Sequence, residues 1–212
     1  MRAAIFGDSF TQYFTNSWCD RLFDKMDWQL VDHFGFPGQS EHRIYDAFIR
    51  FVETANVDII VFCHTHFNRL PNKHNLGINI GSLQKPGKIP PSIQDAARGY
   101  YEHIYLERFH EDAHYLMIRD IQSICFKKKI KQIHLESFKC RAIQEHGMWL
   151  NTPLFEIGST QPEGWVWDDK LRNHLSPDLN AKLADWLVPR IKWYLDKDID
   201  HHSVTLYPEE LA

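Results

Sequence analysis

The chain has little cysteine and no paired cysteines: Cys19, Cys63, Cys125 and Cys140 are scattered through 212 residues without a C-x-x-C. Nothing in that spacing requires disulfides or supplies the cysteine pairs of the common zinc knuckles, so a reducing compartment is the default expectation. Two of the four sit inside apolar periodic segments, where a thiol acts as a small core hydrophobe. Charge of one sign is also missing. A net charge of −4, with Lys127–Lys129 as the one dense basic run, lacks the basic stripe of a nucleic-acid binder. That run follows a helical pattern and reads as a solvated helix end opposing the helix dipole. No apolar run approaches the ~18 residues of a membrane span. Ala3–Phe6 is too short for the core of a signal peptide, so a cytoplasmic location is expected. Internal repeats and low-complexity tracts are absent as well.

What is present is ordinary globular material, 43% hydrophobic and 25% charged, with aromatics at 14%. The length suits a single domain over 1–212 with a substantial core. Ala3–Phe6 reads as a buried strand ending at Gly7. Ser17 caps a helix marked by Trp18, Leu22 and Met26. Trp28–Phe34 alternates as a strand does and ends in the turn Gly35-Phe36-Pro37-Gly38. Ile44, Phe48 and Val52 mark a second helix. Ile59–Cys63 is a continuous β-branched run, as expected of a central parallel strand. Residues 67 to about 95, with Pro71, Pro86, Pro90 and Pro91, read as a loop-rich excursion or lid. Helical spacing resumes near Ala96 and is clearest at Met117, Ile121 and Ile124, and Ile130–Ser137 is a further strand. The last helix has Ser176 as N-cap, Pro177 in the first turn and a stripe of Leu179, Leu183, Leu187 and Ile191. Strands alternating with helices predict an α/β fold: a mainly parallel sheet of about five strands, covered on both faces.

Two places can carry chemistry. Gly7-Asp8-Ser9 follows the first strand, so Ser9 lies where open α/β sheets collect ligands, beyond the carboxyl ends of the strands. Taken alone, the tripeptide reads first as a plain capping turn. Asn173-His174-Leu175-Ser176 precedes the last helix and puts His174 in a short loop. It is one of 13 histidines, and only the pairing of the two ends of the chain gives it weight.

That pairing resembles the SGNH (GDSL-like) hydrolases, and the resemblance covers nearly the whole chain. Ile5-Phe6-Gly7-Asp8-Ser9-Phe10 is similar to the family's first block, which implies Ser9 as nucleophile and its N–H as an oxyanion donor. Gly35-Phe36-Pro37-Gly38-Gln39-Ser40 is similar to the second, with Gly38 as a further donor. Asn173-His174-Leu175-Ser176, followed by Asn180 and Leu183-Ala184, is similar to the last, with His174 as base. The implied fold is a flavodoxin-like three-layer α/β/α sandwich, and no cofactor or metal is implied.

Two blocks depart from the pattern. The family's Gly-x-Asn-Asp is replaced by His64-Thr65-His66-Phe67-Asn68-Arg69, whose Thr-x-x-x-Arg form resembles divergent SGNH-like proteins of phage genomes. Asn68 is the remaining candidate donor there. Thr65 or Asn68 is expected to face Ser9, and Arg69 to fix the loop or hold an anionic part of the substrate. Three residues before His174, where the family has Asp, stands Leu171. Asp168 and Asp169 lie close by; Asp169 is the expected orienting residue, with a backbone carbonyl as the alternative. His64, His66 and Asp8 suggest a metal site, but the further ligands it needs are missing. Trp149, Trp165 and Trp167, with Arg69, read either as the rim of the site or as packing.

The expected activity is ester hydrolysis through an acyl-enzyme, with a small-molecule or carbohydrate O-acetyl ester as substrate and neither nucleic acid nor membrane as partner. Ser9, His174 and Asp169 form the catalytic set, and Gly38, Asn68, Asp8, Thr65 and Arg69 the oxyanion and substrate side. The alternatives are a non-catalytic binding or virion-associated protein on the same scaffold, and an acyltransferase using the same residues.

Overall fold

The computed structural model describes residues 1–72, 77–84, 89–139, 144–160, 174–197 and 203–207. Its centre is β1 (Arg2–Gly7), buried from Ala3 onward, with β2 (Gln29–Gly35) on one side and β3 (Ile59–His64) on the other. Beyond β3 come β4 (Lys131–Glu136), β5 (Met148–Leu150) and β6 (Val204–Leu206), giving the order β2-β1-β3-β4-β5-β6 with every pairing parallel. The described sheet thus has six strands rather than about five. β5 and β6 span three residues each, too short to show a period of two.

Alternation along the strands separates two cores. Ala3, Ile5, Ile59, Val61, Cys63, Ile133 and Leu135 face α1 (Trp18–Met26) and α6 (Pro177–Asp196). Ala4, Phe6, Ile60 and Phe62 face α2 (Glu41–Thr54) and α4 (Glu107–Lys127). Each residue step along a strand moves the side chain to the other layer, which is why β1 and β3 are apolar without a break. The result is a three-layer α/β/α arrangement.

The helix caps follow the sequence closely. Ser17 Oγ accepts from Asp20 N and Ser176 Oγ from Leu179 N, each at 3.2 Å. Helix α3 (Pro91–His103) starts about five residues before the spacing suggests, at a proline that suits the first turn. In the stretch before it, Leu70 and Ile78 form an antiparallel bridge, and a small satellite core gathers Ile78, Ile89 and Ala97 with Leu70, Leu83, Ile93 and Tyr101. Helix α5 (Leu154–Thr160) follows β5. Cys19, Cys63 and Cys125 are reduced and buried. Among the described residues, no helix is long and apolar enough to cross a membrane.

The connection from β1 runs through α1 to β2 on one side, and the connection from β2 returns through α2 past β1 to β3 on the other. The strand order therefore reverses between β1 and β3, and the loops after these two strands flank the crevice where doubly wound sheets bind ligands.

Candidate active site

Gly7 ends β1 in a place with no room for a side chain: a Cβ there would lie 2.7 Å from Thr11 Oγ1 and 2.9 Å from Cys63 Cβ. The chain then turns sharply. Asp8 caps a one-turn 3₁₀ helix, Ser9–Thr11, its Oδ1 accepting from Phe10 N at 3.0 Å. This turn presents Ser9, which is 4% exposed, at the carboxyl edge of the sheet.

His174 approaches from the other end of the chain, and its Nε2 lies 3.0 Å from Ser9 Oγ. The residue has φ = 65°, a left-handed conformation that costs a non-glycine residue on the order of 1 kcal/mol or more. The next residues are firmly held. Leu175 is buried, and Asn180 Nδ2 donates to the carbonyls of Leu175 and Ser176 at 3.0 Å each. Asn180 Oδ1 in turn accepts from Trp18 N at 2.8 Å, tying this loop to the start of α1. The ring of Phe10 packs on His174 at 5.3 Å. Burial lowers the His174 pKa from 6.5; nearby Asp8 opposes the shift and Arg69 adds to it. The imidazole is therefore neutral at pH 7 and able to take a proton.

Asp8 is the hub of the site and wholly buried. Besides the Phe10 amide, its carboxylate accepts from Ser137 Oγ at 2.6 Å, Thr65 Oγ1 at 2.9 Å and Arg69 Nη1 at 2.9 Å. Arg69 Nη1 also donates to Gln39 O at 3.1 Å, and the guanidinium lies over the Phe138 ring at 5.0 Å. Of the two roles expected for Arg69, the contacts are those of a residue that fixes loops: it joins the segments after β1, β2 and β3. A buried carboxylate survives only when paired and hydrogen-bonded in this way.

Gly38 has φ = +75° and packs against Gly77, where a Cβ on either residue would come within 2.7 Å of the other's Cα. Among the described residues, neither Ser9 N nor Gly38 N donates a hydrogen bond to another protein group. Of the third-block candidates, Thr65 is directed to Asp8, beside Ser9. Asn68 is fixed through its backbone, its N–H donating to His66 Nδ1 at 3.2 Å and its carbonyl accepting from Tyr101 Oη at 2.6 Å.

His64 and His66, weighed with Asp8 as a metal site, go to different partners. His64 enters the core on Glu41 and His134, while His66 packs on Phe67 at 4.3 Å. Trp149 is no rim residue: it is fully buried in β5 and stacks on His134 at 4.2 Å. Asp168, Asp169, Trp165 and Trp167 lie outside the described residues. Ser137, Glu41 and His134 belong to no recognisable block. The one clue in the sequence is that Ser137 ends a readable strand and Glu41 directly follows the second block.

No protein-family model matches the chain, and no curated protein does. Solved structures do. The psychrotrophic esterase EstA from Pseudoalteromonas sp., in a structure inhibited by monoethylphosphonate, is 11% identical with a TM-score of 0.50, over 92% of this chain and 98% of that one. The fold is that of the SGNH hydrolases. An acetyl xylan esterase, AlAXEase, is 14% identical with a TM-score of 0.40, over 95% of this chain and 85% of that one. A member of the lipolytic G-D-S-L family from Veillonella parvula is 11% identical with a TM-score of 0.37, over 98% and 78%. At 11% identity the likeness to EstA shows a shared fold without a shared substrate, and function has to come from the site.

Proposed function

We propose that the protein is a serine esterase acting through an acyl-enzyme on small esters, with the O-acetyl esters of carbohydrates as the class its family resemblance suggests. The observation that carries this reading is the 3.0 Å contact between Ser9 Oγ and His174 Nε2 at the strand-order reversal. Nucleophile and base come from opposite ends of the chain, and each is held by its own set of hydrogen bonds. Such geometry is what a general base needs.

In the proposed reaction, neutral His174 takes the Ser9 proton as Oγ attacks the ester carbonyl. Negative charge develops on the former carbonyl oxygen and is met by the N–H groups of Ser9 and Gly38, with Asn68 as a third donor. One such donor is worth roughly a hundredfold or more in kcat. Collapse of the tetrahedral species breaks the ester C–O bond, and the alcohol leaves with the proton from His174. Water then gives a proton to His174 and attacks the acyl-enzyme, releasing the acid and restoring Ser9. Asp169 is the proposed orienting residue for His174. Asp8, Thr65 and Arg69 hold the loops in place rather than react.

The test is hydrolysis of p-nitrophenyl acetate by the parent, Ser9→Ala and His174→Ala. Near-complete loss in each variant is expected, because the two side chains act as a unit. Equal turnover in all three proteins would overturn the esterase and leave a binding protein on an SGNH fold.

A further inference from the structure

On the α2/α4 face of the sheet, behind the proposed nucleophile, runs a chain of buried polar side chains that the reaction does not use. Glu41, the first residue of α2, accepts from Thr65 N on Oε2 at 2.9 Å and meets His64 Nδ1 with Oε1 at 2.8 Å. His64 Nε2 lies 2.9 Å from His134 Nδ1, and His134 Nε2 lies 2.9 Å from Gln132 Oε1. Gln132 Nε2 donates to the Gln122 carbonyl at 3.3 Å. Each of these side chains is at most 3% exposed.

The polarity of this chain can be read from its far end. The Gln122 carbonyl can only accept, so the Gln132 amide nitrogen faces it and Oε1 faces His134. Oε1 also only accepts, so His134 carries its proton on Nε2. Burial holds the His134 pKa well below 6.5 and keeps that ring neutral, leaving Nδ1 as an acceptor. His64 must then donate from Nε2. Its Nδ1 faces Glu41, so either His64 is an imidazolium against a carboxylate, or Glu41 carries the proton. Burial alone would raise the Glu41 carboxyl. Its Oε2 accepts from the Thr65 amide at 2.9 Å, with His114 Nε2 at 3.7 Å, and N–H groups aimed at a carboxyl oxygen favour the anion. The start of a 14-residue helix also favours the anion.

We propose that Glu41 and a doubly protonated His64 form a buried ion pair that positions the site, tying the start of α2 to the backbone of Thr65. The inference rests on the esterase reading, because what it positions is the proposed oxyanion side. Glu41 is three residues beyond Gly38, so one carboxylate links the second-block loop to the third. On the other side of the same residue, His114 Nε2 donates to Thr65 O at 2.7 Å, and Thr65 Oγ1 donates to Asp8. The Thr65 backbone is thus gripped from both sides, and its hydroxyl meets the residue next to Ser9. A buried ion pair is a poor device for stability compared with an apolar pair of the same volume. Its retention here fits a positional role.

The test is NMR of the ring protons and nitrogens at pH 7, with His64 assigned through the Phe62 and Trp149 rings stacked at 5.9 and 5.8 Å. The expected result is two nitrogen-bound ring protons on His64 and one on His134. In Glu41→Gln, the amide cannot accept on both atoms and brings no counter-charge. His64 should then show one ring proton, and kcat should fall roughly tenfold to a hundredfold with KM nearly unchanged. A single ring proton on His64 in the parent overturns the proposal, as does a Glu41→Gln variant with unaltered His64 and kcat. The parent spectrum needs no variant, so it decides even if Glu41→Gln fails to fold. It also needs no substrate. A parent that does not react at Ser9 overturns the esterase reading and the positional role together, whereas a singly protonated His64 overturns the ion pair alone.

Discussion

Strands β1 and β3 carry an Asp–Arg pair at each end, and the two pairs differ in nearly everything but composition. At the amino edge, Arg2 Nη2 meets Asp58 Oδ1 at 3.1 Å and the Arg2 amide donates to Oδ2 at 2.7 Å, with the side chains 36% and 39% exposed. At the carboxyl edge, Arg69 meets Asp8 at 2.9 Å with exposures of 10% and 0%. The first pair is a surface staple between neighbouring strands, of a kind worth about 0–1 kcal/mol. The second has given up its water, and three further donors from Phe10, Thr65 and Ser137 replace it. One sheet therefore has an end that closes it and an end that organises a site. The difference is set by solvent, since the residue types are the same.

The largest effect expected from this contrast is on turnover. Ser9→Ala or His174→Ala should lower ester hydrolysis by roughly a thousandfold or more, while Arg2→Ala at the opposite edge leaves kcat/KM unchanged in the same assay. Next comes stability. Asp8→Ala leaves Arg69 without its partner in a nearly dry setting and should cost about 3–5 kcal/mol in urea unfolding. A loss as small as that of a surface pair would erase the distinction between the two ends.

The pH dependence is a gentler test. With the His174 pKa lowered by burial and by Arg69 against the opposing charge of Asp8, the base gains its proton only below the ordinary 6.5. The acid limb of kcat/KM should accordingly have its midpoint below pH 6.5. Asp58 is shifted down by the Arg2 amide and then by the Arg2 side chain. Its contribution is present above its unfolded value of 3.8 and lost as pH falls through the lower folded value. The smallest effect belongs to that pair itself: Asp58→Ala should cost less than about 1 kcal/mol, measured by the same urea titration, with activity intact.

Much of this architecture was legible in the sequence for a physical reason. β1 and β3 are buried on both faces and therefore uninterrupted in their apolar character, and α6 announces itself with Ser176, Pro177 and its leucine stripe. Ser9 and His174 could be singled out because each adjoins one of those elements. Glu41, Ser137 and His134 could not. They meet through pairings across β3 and β4 and through the packing of α2, and no local pattern encodes such meetings. Trp149 stayed open between rim and packing for the same reason: a three-residue strand carries too little periodicity to place it in the core.

The central claim is that Ser9 is a nucleophile activated by His174. Treatment of the parent with a fluorophosphonate, then mass mapping of the modified peptide, tests it directly. The account predicts a single adduct on Ser9, formed far more slowly in His174→Ala and not at all in Ser9→Ala. A parent protein that stays unmodified at Ser9, or a His174→Ala variant labelled at the parent's rate, would contradict it.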